Sequence, residues 1–302
     1  MRQNTMKSSF LLVLAAFIWG VAFVAQSVGM DYVGPFTFIG ARYLIGGLVL
    51  IPCIAFLKKM GYGGDENKSE EQKKKEFQTG IRGGIFCGLA LFISSSLQQI
   101  GIMYTTVGKA GFITALYIVI VPILGIFMKK RVSWTIWISV AVAVIGMYLL
   151  CITDGFFVGM GDIYVFLCAI GFSFHILVID HFSPKADGVL ISCVQFFVAG
   201  ILGTIVAFAV ETPNLASLCA AWAPVLYAGI LSSGAGYTLQ IVGQKNMNPV
   251  VASLLLSLES VFSLIAGWVL LGQRLSVKEQ FGCLLVFCAI ILAQIPAPKK
   301  KK

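Results

Sequence analysis

The chain has 302 residues, of which 58% are hydrophobic and only 12% charged, with a formal net charge of +9. Ordinary soluble domains are about 45–50% apolar and about 25% charged, so the composition excludes that class and points to a polytopic membrane protein. The positive charge does not imply nucleic acid as a partner, because the basic residues flank apolar runs and form no aromatic-interleaved basic surface.

Runs of about 20 apolar residues predict ten membrane spans: 9–29, 34–57, 81–103, 108–128, 133–152, 162–180, 188–210, 222–243, 249–271 and 278–296. Arg2 and Lys7 precede the first run as they would in a signal peptide. That run exceeds the usual length of roughly 7–15 residues, and no small-x-small cleavage site follows it. It is therefore span 1, and it carries Trp19 and Gly20. Span 2 holds Arg42 several residues inside the bilayer. The segment 58–80, "KKMGYGGDENKSEEQKKKEFQTG", has mixed charge and is expected to be a mobile cytoplasmic loop.

Span 3 carries Gln98 and Gln99 near its outer half, and span 4 opens with "GKAGFITALY", which sets Gly111, Thr114 and Tyr117 three apart on one face. Pro122 follows in the same span, Gly171 and His175 lie in span 6, and Tyr237 and Gln240 lie in span 8. Asn248-Pro249 supplies an N-cap and a first-turn proline, which reads as helix initiation for span 9. Near the middle of that span stands Glu259.

With the N-terminus in the cytoplasm, 18 of the 22 Lys and Arg residues fall on the inner side, and Lys109, Arg274 and Lys278 fall outside. This bias predicts that both termini are cytoplasmic. The eight cysteines lie almost all within apolar runs, with no C-x-x-C and no nearby histidine pair, so neither disulfides nor a metal is expected. No G-x-x-x-x-G-K-[ST] motif is present, which excludes ATP hydrolysis by that route.

The two halves resemble each other in order. "KKRVSWTIWIS" after span 4 parallels "GQRLSVKEQFG" after span 9, with Arg131 opposite Arg274 and Ser133 opposite Ser276. "RYLIGG" in span 2 parallels "QFFVAG" in span 7, and "FIWGVAF" in span 1 parallels "CAIGFSF" in span 6, where Gly20 matches Gly171. An odd number of spans per half sends the second copy into the membrane from the opposite face. The expected fold is all-α and polytopic, with ten transmembrane helices as two inverted five-helix repeats, 1–152 and 153–302. Inverted repeats recur in secondary transporters, whose substrate site lies near the midplane between the copies.

Four segments carry a resemblance to a known family: "AAFIWGVAFV" in span 1, "ARYLIGG" in span 2, "GFITALYIVIVPILG" in span 4 and "SLLLSLESVFSLIAGWVLLGQRLS" in span 9. In this order the chain resembles the drug/metabolite transporter superfamily, EamA-like type. The resemblance implies a central cavity bordered by span 4 and its mate, span 9. Where that family commonly has Glu-Pro in span 9 and then Gly-Glu-Arg, this chain has Glu259-Ser260 and Gly272-Gln273-Arg274. The missing proline removes an expected kink.

A midplane carboxylate costs about 3 kcal/mol on insertion scales. Glu259 therefore either binds a substrate ammonium, couples protons, or hydrogen-bonds to a neighbouring helix, and the residues leave these open. Its helical face holds Ala252, Ser263 and Ala266, small enough to let another backbone approach. Gln98 and Gln240 are approximate mirror mates, one expected near each mouth of the cavity. Thr114, Tyr117, Trp19 and Tyr237 are candidates for its wall, as is Tyr104. His175 is a candidate proton relay, and Arg42, Gly20, Gly171 and Pro122 are candidates for helix pinning or gating. The expected activity is secondary transport of small organic metabolites, foremost export of amino acids or related compounds, by alternating access and without a cofactor. A nucleotide-sugar or drug carrier, a lipid-modifying membrane enzyme and an assembly subunit are the alternatives. The expected partners are the lipid bilayer and a small-molecule substrate, with a homodimer left open, in a bacterial cytoplasmic membrane.

Overall fold

The structure is a computed structural model that describes residues 2–59, 69–105, 107–127, 133–151, 159–245, 247–271 and 276–294. Lys129 to Arg131, the Asn67-Lys68 pair, Gln273-Arg274 and the terminal lysines lie outside the described residues. Every described element is helical. At membrane depth no water is available to pair a backbone N–H or C=O, and a helix satisfies both within its own segment. The chain forms α1 (Arg2–Gly29), α2 (Pro35–Lys59), α3 (Glu70–Ile102), α4 (Val107–Ala115), α5 (Tyr117–Phe127), α6 (Trp134–Cys151) and α7 (Met160–Phe182). After these come α8 (Gly188–Val210), α9 (Leu215–Ala220), α10 (Trp222–Leu226), a π-helical stretch Tyr227–Tyr237, α11 (Thr238–Gln244), α12 (Pro249–Leu256), α13 (Leu258–Leu271) and α14 (Val277–Gln294).

Eight segments among the described residues are long and apolar enough to cross a bilayer. The predicted fifth and tenth spans fall in α6 and α14, whose apolar stretches Trp134–Gly146 and Gln280–Leu292 are shorter. The distribution of side chains is that of a membrane protein. Phe10, Phe17, Ile205 and Phe208 are exposed on helix surfaces, whereas Arg42, Gln98, Gln99, His175, Gln195, Gln240 and Glu259 are buried. Lipid is as good a solvent as a core for the first group, and the second group finds its partners inside the bundle.

Contrary to what its charge suggests, the segment 58–80 is not a loop throughout. α2 runs to Lys59 and α3 begins at Glu70, so only the middle of that segment lies outside the described helices. The cause is a capping box: Gln72 N–H donates to Ser69 Oγ at 3.2 Å, and Ser69 N–H donates back to Gln72 Oε1 at 3.0 Å. Glu70 adds favourable charge to the first turn and pairs with Lys73 at 2.8 Å. At 33 residues, α3 spans about 50 Å, well over the hydrocarbon thickness of about 30 Å.

The spans pack in a pattern that survives adding five to each span number. Here span 4 is α4 and α5, span 8 is α10 to α11, and span 9 is α12 and α13. Span 2 packs on span 7 and span 5 on span 10, which are self-matched pairs. Span 3 packs on spans 6 and 7, and correspondingly span 8 packs on spans 1 and 2. Span 1 lies on span 9, as span 6 lies on span 4. At the centre, α4 faces α13 and α5 faces α12, so two interrupted spans meet.

Candidate functional site

The interruptions position the site. Span 4 breaks at Leu116, where Leu116 N–H donates to Ile113 O at 3.2 Å and Val119 N–H donates to Leu116 O at 2.9 Å. These are tight i→i+3 bonds instead of α-helical ones. Span 9 breaks at Ser257, where Ser260 N–H donates to Ser257 O at 3.1 Å. The absent proline thus does not leave span 9 as one uninterrupted helix. Around the break, Ser253, Ser257, Ser260 and Ser263 each donate to the carbonyl three residues back, at 2.7 to 2.9 Å, and such side-chain bonds compete with the helical ladder.

Just after the two breaks stand Tyr117 and Glu259, and the Tyr117 hydroxyl donates to Glu259 Oε1 at 3.0 Å. Glu259 is 4% exposed and Tyr117 is 3% exposed. Both border a cavity of about 30 Å³, room for about two waters. Around it the structure brings together Trp19, Arg42, Gln98, Thr114, Tyr117, His175, Tyr237, Gln240 and Glu259. Gln98 and Gln240 border this one space, and Gln98 Nε2 donates to Thr114 Oγ1 at 3.2 Å. Tyr104 does not join them; it is exposed at the end of α3, because the helix finishes at Ile102.

Tyr237 is the hub of an aromatic cluster. Its ring lies 4.6 Å from Trp19, 5.8 Å from His175 and 5.9 Å from Phe196, the last two edge-on. Trp19 Nε1–H donates to Ser232 O at 3.1 Å, a carbonyl of the π-helical stretch. His175 Nε2 sits 3.0 Å from Gln195 Oε1. Arg42 is 2% exposed; its Nη1–H donates to Gln26 Oε1 at 2.8 Å and its Nη2–H to the Tyr43 hydroxyl at 2.5 Å. Tyr43 bonds onward to Ser95 Oγ.

Three further predicted residues shape the packing. A Cβ on Gly20 would come within 2.8 Å of the Ser263 backbone nitrogen, so α1 can meet span 9 this closely only at glycine. Gly171, its counterpart in the other half, instead faces the Ser94 hydroxyl on α3. The two matched glycines therefore make different contacts. Pro122 is buried within α5.

Away from the cavity, two carboxylates tie helix ends together. Asp162 accepts from Lys109 Nζ at 2.7 Å, from Thr105 Oγ1 at 2.7 Å and from Gly159 N–H at 2.9 Å. Glu211 accepts from Phe36 and Thr37 N–H at 2.8 and 2.9 Å and from Thr37 Oγ1 at 2.6 Å, capping the start of α2 from the end of α8. Neither carboxylate stands out in the sequence, nor do Gln26 and Ser232, and Gln195 does so only as the counterpart of Arg42 in the repeat. Gln26 could have been found by the rule that located Gln98, a polar residue inside an apolar run. Asp162 and Glu211 sit at span ends, where charge is unremarkable.

A bundle of interrupted helices around a water-sized internal cavity, with buried amide, hydroxyl, guanidinium and carboxylate side chains set in its largely apolar wall, defines the class: a polytopic membrane transporter. The sequence profile of the EamA-like transporter family matches twice, over residues 6–152 and 159–294. The chain belongs to the EamA-like transporter family. It is 29% identical over 296 residues to an uncharacterized transporter of Archaeoglobus fulgidus, covering 94% of this chain and 84% of the relative. It is 25% identical over 313 residues to the uncharacterized transporter YwfM of Bacillus subtilis, covering 97% and 95% of the two chains. A solved crystal structure matches with a TM-score of 0.74 over 95% of this chain and 96% of its own length, at 17% identity, a likeness of fold. Among the described residues no group of His, Cys, Asp or Glu could hold a metal ion.

Proposed function

We propose that this transporter is a secondary carrier of small organic metabolites, exporting amino acids or related compounds from the cell. The proposed cycle exposes the central cavity alternately to the two faces of the cell membrane as the halves 1–152 and 153–302 exchange conformations. Both termini are taken to lie in the cytoplasm, in keeping with the eighteen basic residues on that side.

The observation that carries the reading is the meeting of two mid-span breaks at Leu116 and Ser257 beside a cavity lined by polar side chains. Irregular backbone at membrane depth is tolerated only where protein or a water-filled cavity covers it, and transporters place their substrate sites there. The packing pattern, unchanged when spans are exchanged five for five, gives each half an equivalent role in such a cycle. Glu259 and His175, both facing the cavity, are the groups proposed to couple flux to protons.

The test is a comparison of metabolite levels inside cells and in the medium, with and without the gene, followed by flux into proteoliposomes. Export requires that loss of the gene raise the cargo inside and lower it outside. The opposite redistribution contradicts the direction. No flux of any metabolite by the reconstituted protein contradicts the carrier itself. Flux that ignores an imposed pH gradient, and is unchanged in Glu259→Gln, removes proton coupling.

A further inference from the structure

α3 is longer than the bilayer needs, and its surplus lies at the end that carries Glu70. A hydrocarbon core of about 30 Å takes up about 20 residues of helix, which counted back from Ile102 reaches Gly83. Residues 70–82 therefore stand beyond the hydrocarbon as continuous helix, started by the capping box of Ser69 and Gln72.

The two long sides of this helix differ. On the inner side, a Cβ at Gly80, Gly83, Gly84 or Gly88 would come within 3.0 Å of a side chain of α7 or α8. The opposite side is open. Ile85, Leu89 and Ile93 are exposed there, three or four residues apart on one face, and in a membrane they meet lipid. The same spacing carried toward the N-terminus passes through Arg82, Gln78 and Lys75, with Lys74 alongside, and all four are exposed. The lipid-facing apolar stripe thus continues directly into a basic one. Among the described residues no ion pair holds Lys74, Lys75 or Arg82, and Glu71 is the carboxylate on their side. Lys73 is placed otherwise. It stands two turns before Gly80, on the inner side, and pairs with Glu70 at 2.8 Å.

Depth suits the charges to a membrane surface. Arg82 is level with the edge of the hydrocarbon, where phosphates lie. Lys75 and Lys74 follow seven and eight residues further out, about 10 to 12 Å along the axis, which is about one Debye length at physiological salt.

We propose that this stripe is a docking surface for anionic phospholipid. Arg82 holds the headgroup phosphate, Lys75 and Lys74 add attraction from above it, and the acyl chains lie along Ile85, Leu89 and Ile93. Charge complementarity selects an anionic headgroup, and the unbroken join to the lipid-facing stripe selects a lipid over a soluble anion. The capping box matters because it keeps the three charges in helical register on one side. This surface is on the outside of the bundle and is independent of what the central cavity carries.

The test is native mass spectrometry of the purified full-length chain in neutral detergent, titrated with dioleoyl phosphatidylglycerol or dioleoyl phosphatidylcholine, which share their acyl chains. A basic residue near an anionic surface contributes about five-fold, so the anionic lipid should bind about ten-fold more tightly or better. Combining Lys74→Gln, Lys75→Gln and Arg82→Gln should remove at least about ten-fold of that advantage. Lys73→Gln deletes a charge from the other side and should change it less than about two-fold, while Glu71→Gln should raise it by about two-fold. Equal affinity for the two lipids overturns the proposal, and that comparison needs no variant. A loss in Lys73→Gln as large as in the triple variant also overturns it, because net charge and not one face would then be the cause. Displacement of the lipid by inorganic phosphate at the lipid's own concentration overturns it in favour of a free-anion site. A dimer that falls to monomer in the triple variant, read in the same spectra, overturns it in favour of a second copy of this chain.

Discussion

Spans 4 and 9 reach the same shape by different chemistry. Each is interrupted near its middle, at Leu116 and at Ser257, and each places a polar side chain just beyond the break. Span 4 has Pro122 in its second half; lacking an N–H, that residue leaves the Ile118 carbonyl without its helical partner close to the break. Span 9 has no proline after Pro249, and four serine hydroxyls compete for its backbone carbonyls instead. What the two share is therefore the break and the Tyr117–Glu259 contact it permits, and the residue that causes the break is free to differ. The close approach also differs: a Cβ on Gly20 would press on the backbone of span 9 at 2.8 Å, whereas one on Gly111 of span 4 would meet the Ser263 hydroxyl at 3.0 Å and backbone no nearer than 3.7 Å.

The largest effect should come from the polar residue of span 9. Glu259→Ala removes the carboxylate and strands the Tyr117 hydroxyl in a buried site, and flux in counterflow should fall by about a hundred-fold. A variant that transports at the normal rate would show that the contact between the breaks plays no part in the cycle. Next, Gly20→Ala should destabilise the protein by about 2 kcal/mol in unfolding experiments, since backbone must move to admit the methyl group. Gly111→Ala should cost under about 1 kcal/mol, because one serine rotamer can give way; equal losses at the two glycines would erase the distinction between the spans. Tyr117→Phe keeps the ring and deletes a single donor, so flux should drop by about ten-fold with a stability change of about 1 kcal/mol. Smallest of all, Ser257→Ala with Ser260→Ala should change stability by only about 0.5 kcal/mol. It should nevertheless raise hydrogen-exchange protection around the span 9 break, while the same measurement in span 4 stays unchanged.

Much of this architecture is visible in the sequence because bilayer physics writes local signals. Apolar runs mark the helices, and a carboxylate or amide inside such a run marks a residue with a partner or a purpose. Glu259, Gln98, Gln240 and Arg42 were all recognisable in this way, and they do meet around one cavity. The partners were not recognisable. That Arg42 reaches Gln26, or that Tyr117 reaches Glu259 across 142 positions of sequence, depends on how helices cross. The break in span 9 has a weaker signature than the one in span 4: Pro122 is a recognisable helix disruptor, whereas the regular serines of "ASLLLSLESVFS" look the same as small residues that serve helix packing. Charge density likewise hid the start of α3, although the Ser69 to Gln72 spacing of its capping box was there to be read.

In the proposed cycle the cavity between the two breaks opens to each face of the membrane in turn. This opening is tested by placing single cysteines at Gln98 and Gln240, after replacing all eight native cysteines with serine, and labelling with a membrane-impermeant maleimide from each face. Alternating access predicts that both positions react from both faces, and that transported solute shifts the balance between the two. Labelling confined to one face, unmoved by any solute the protein carries, would contradict it.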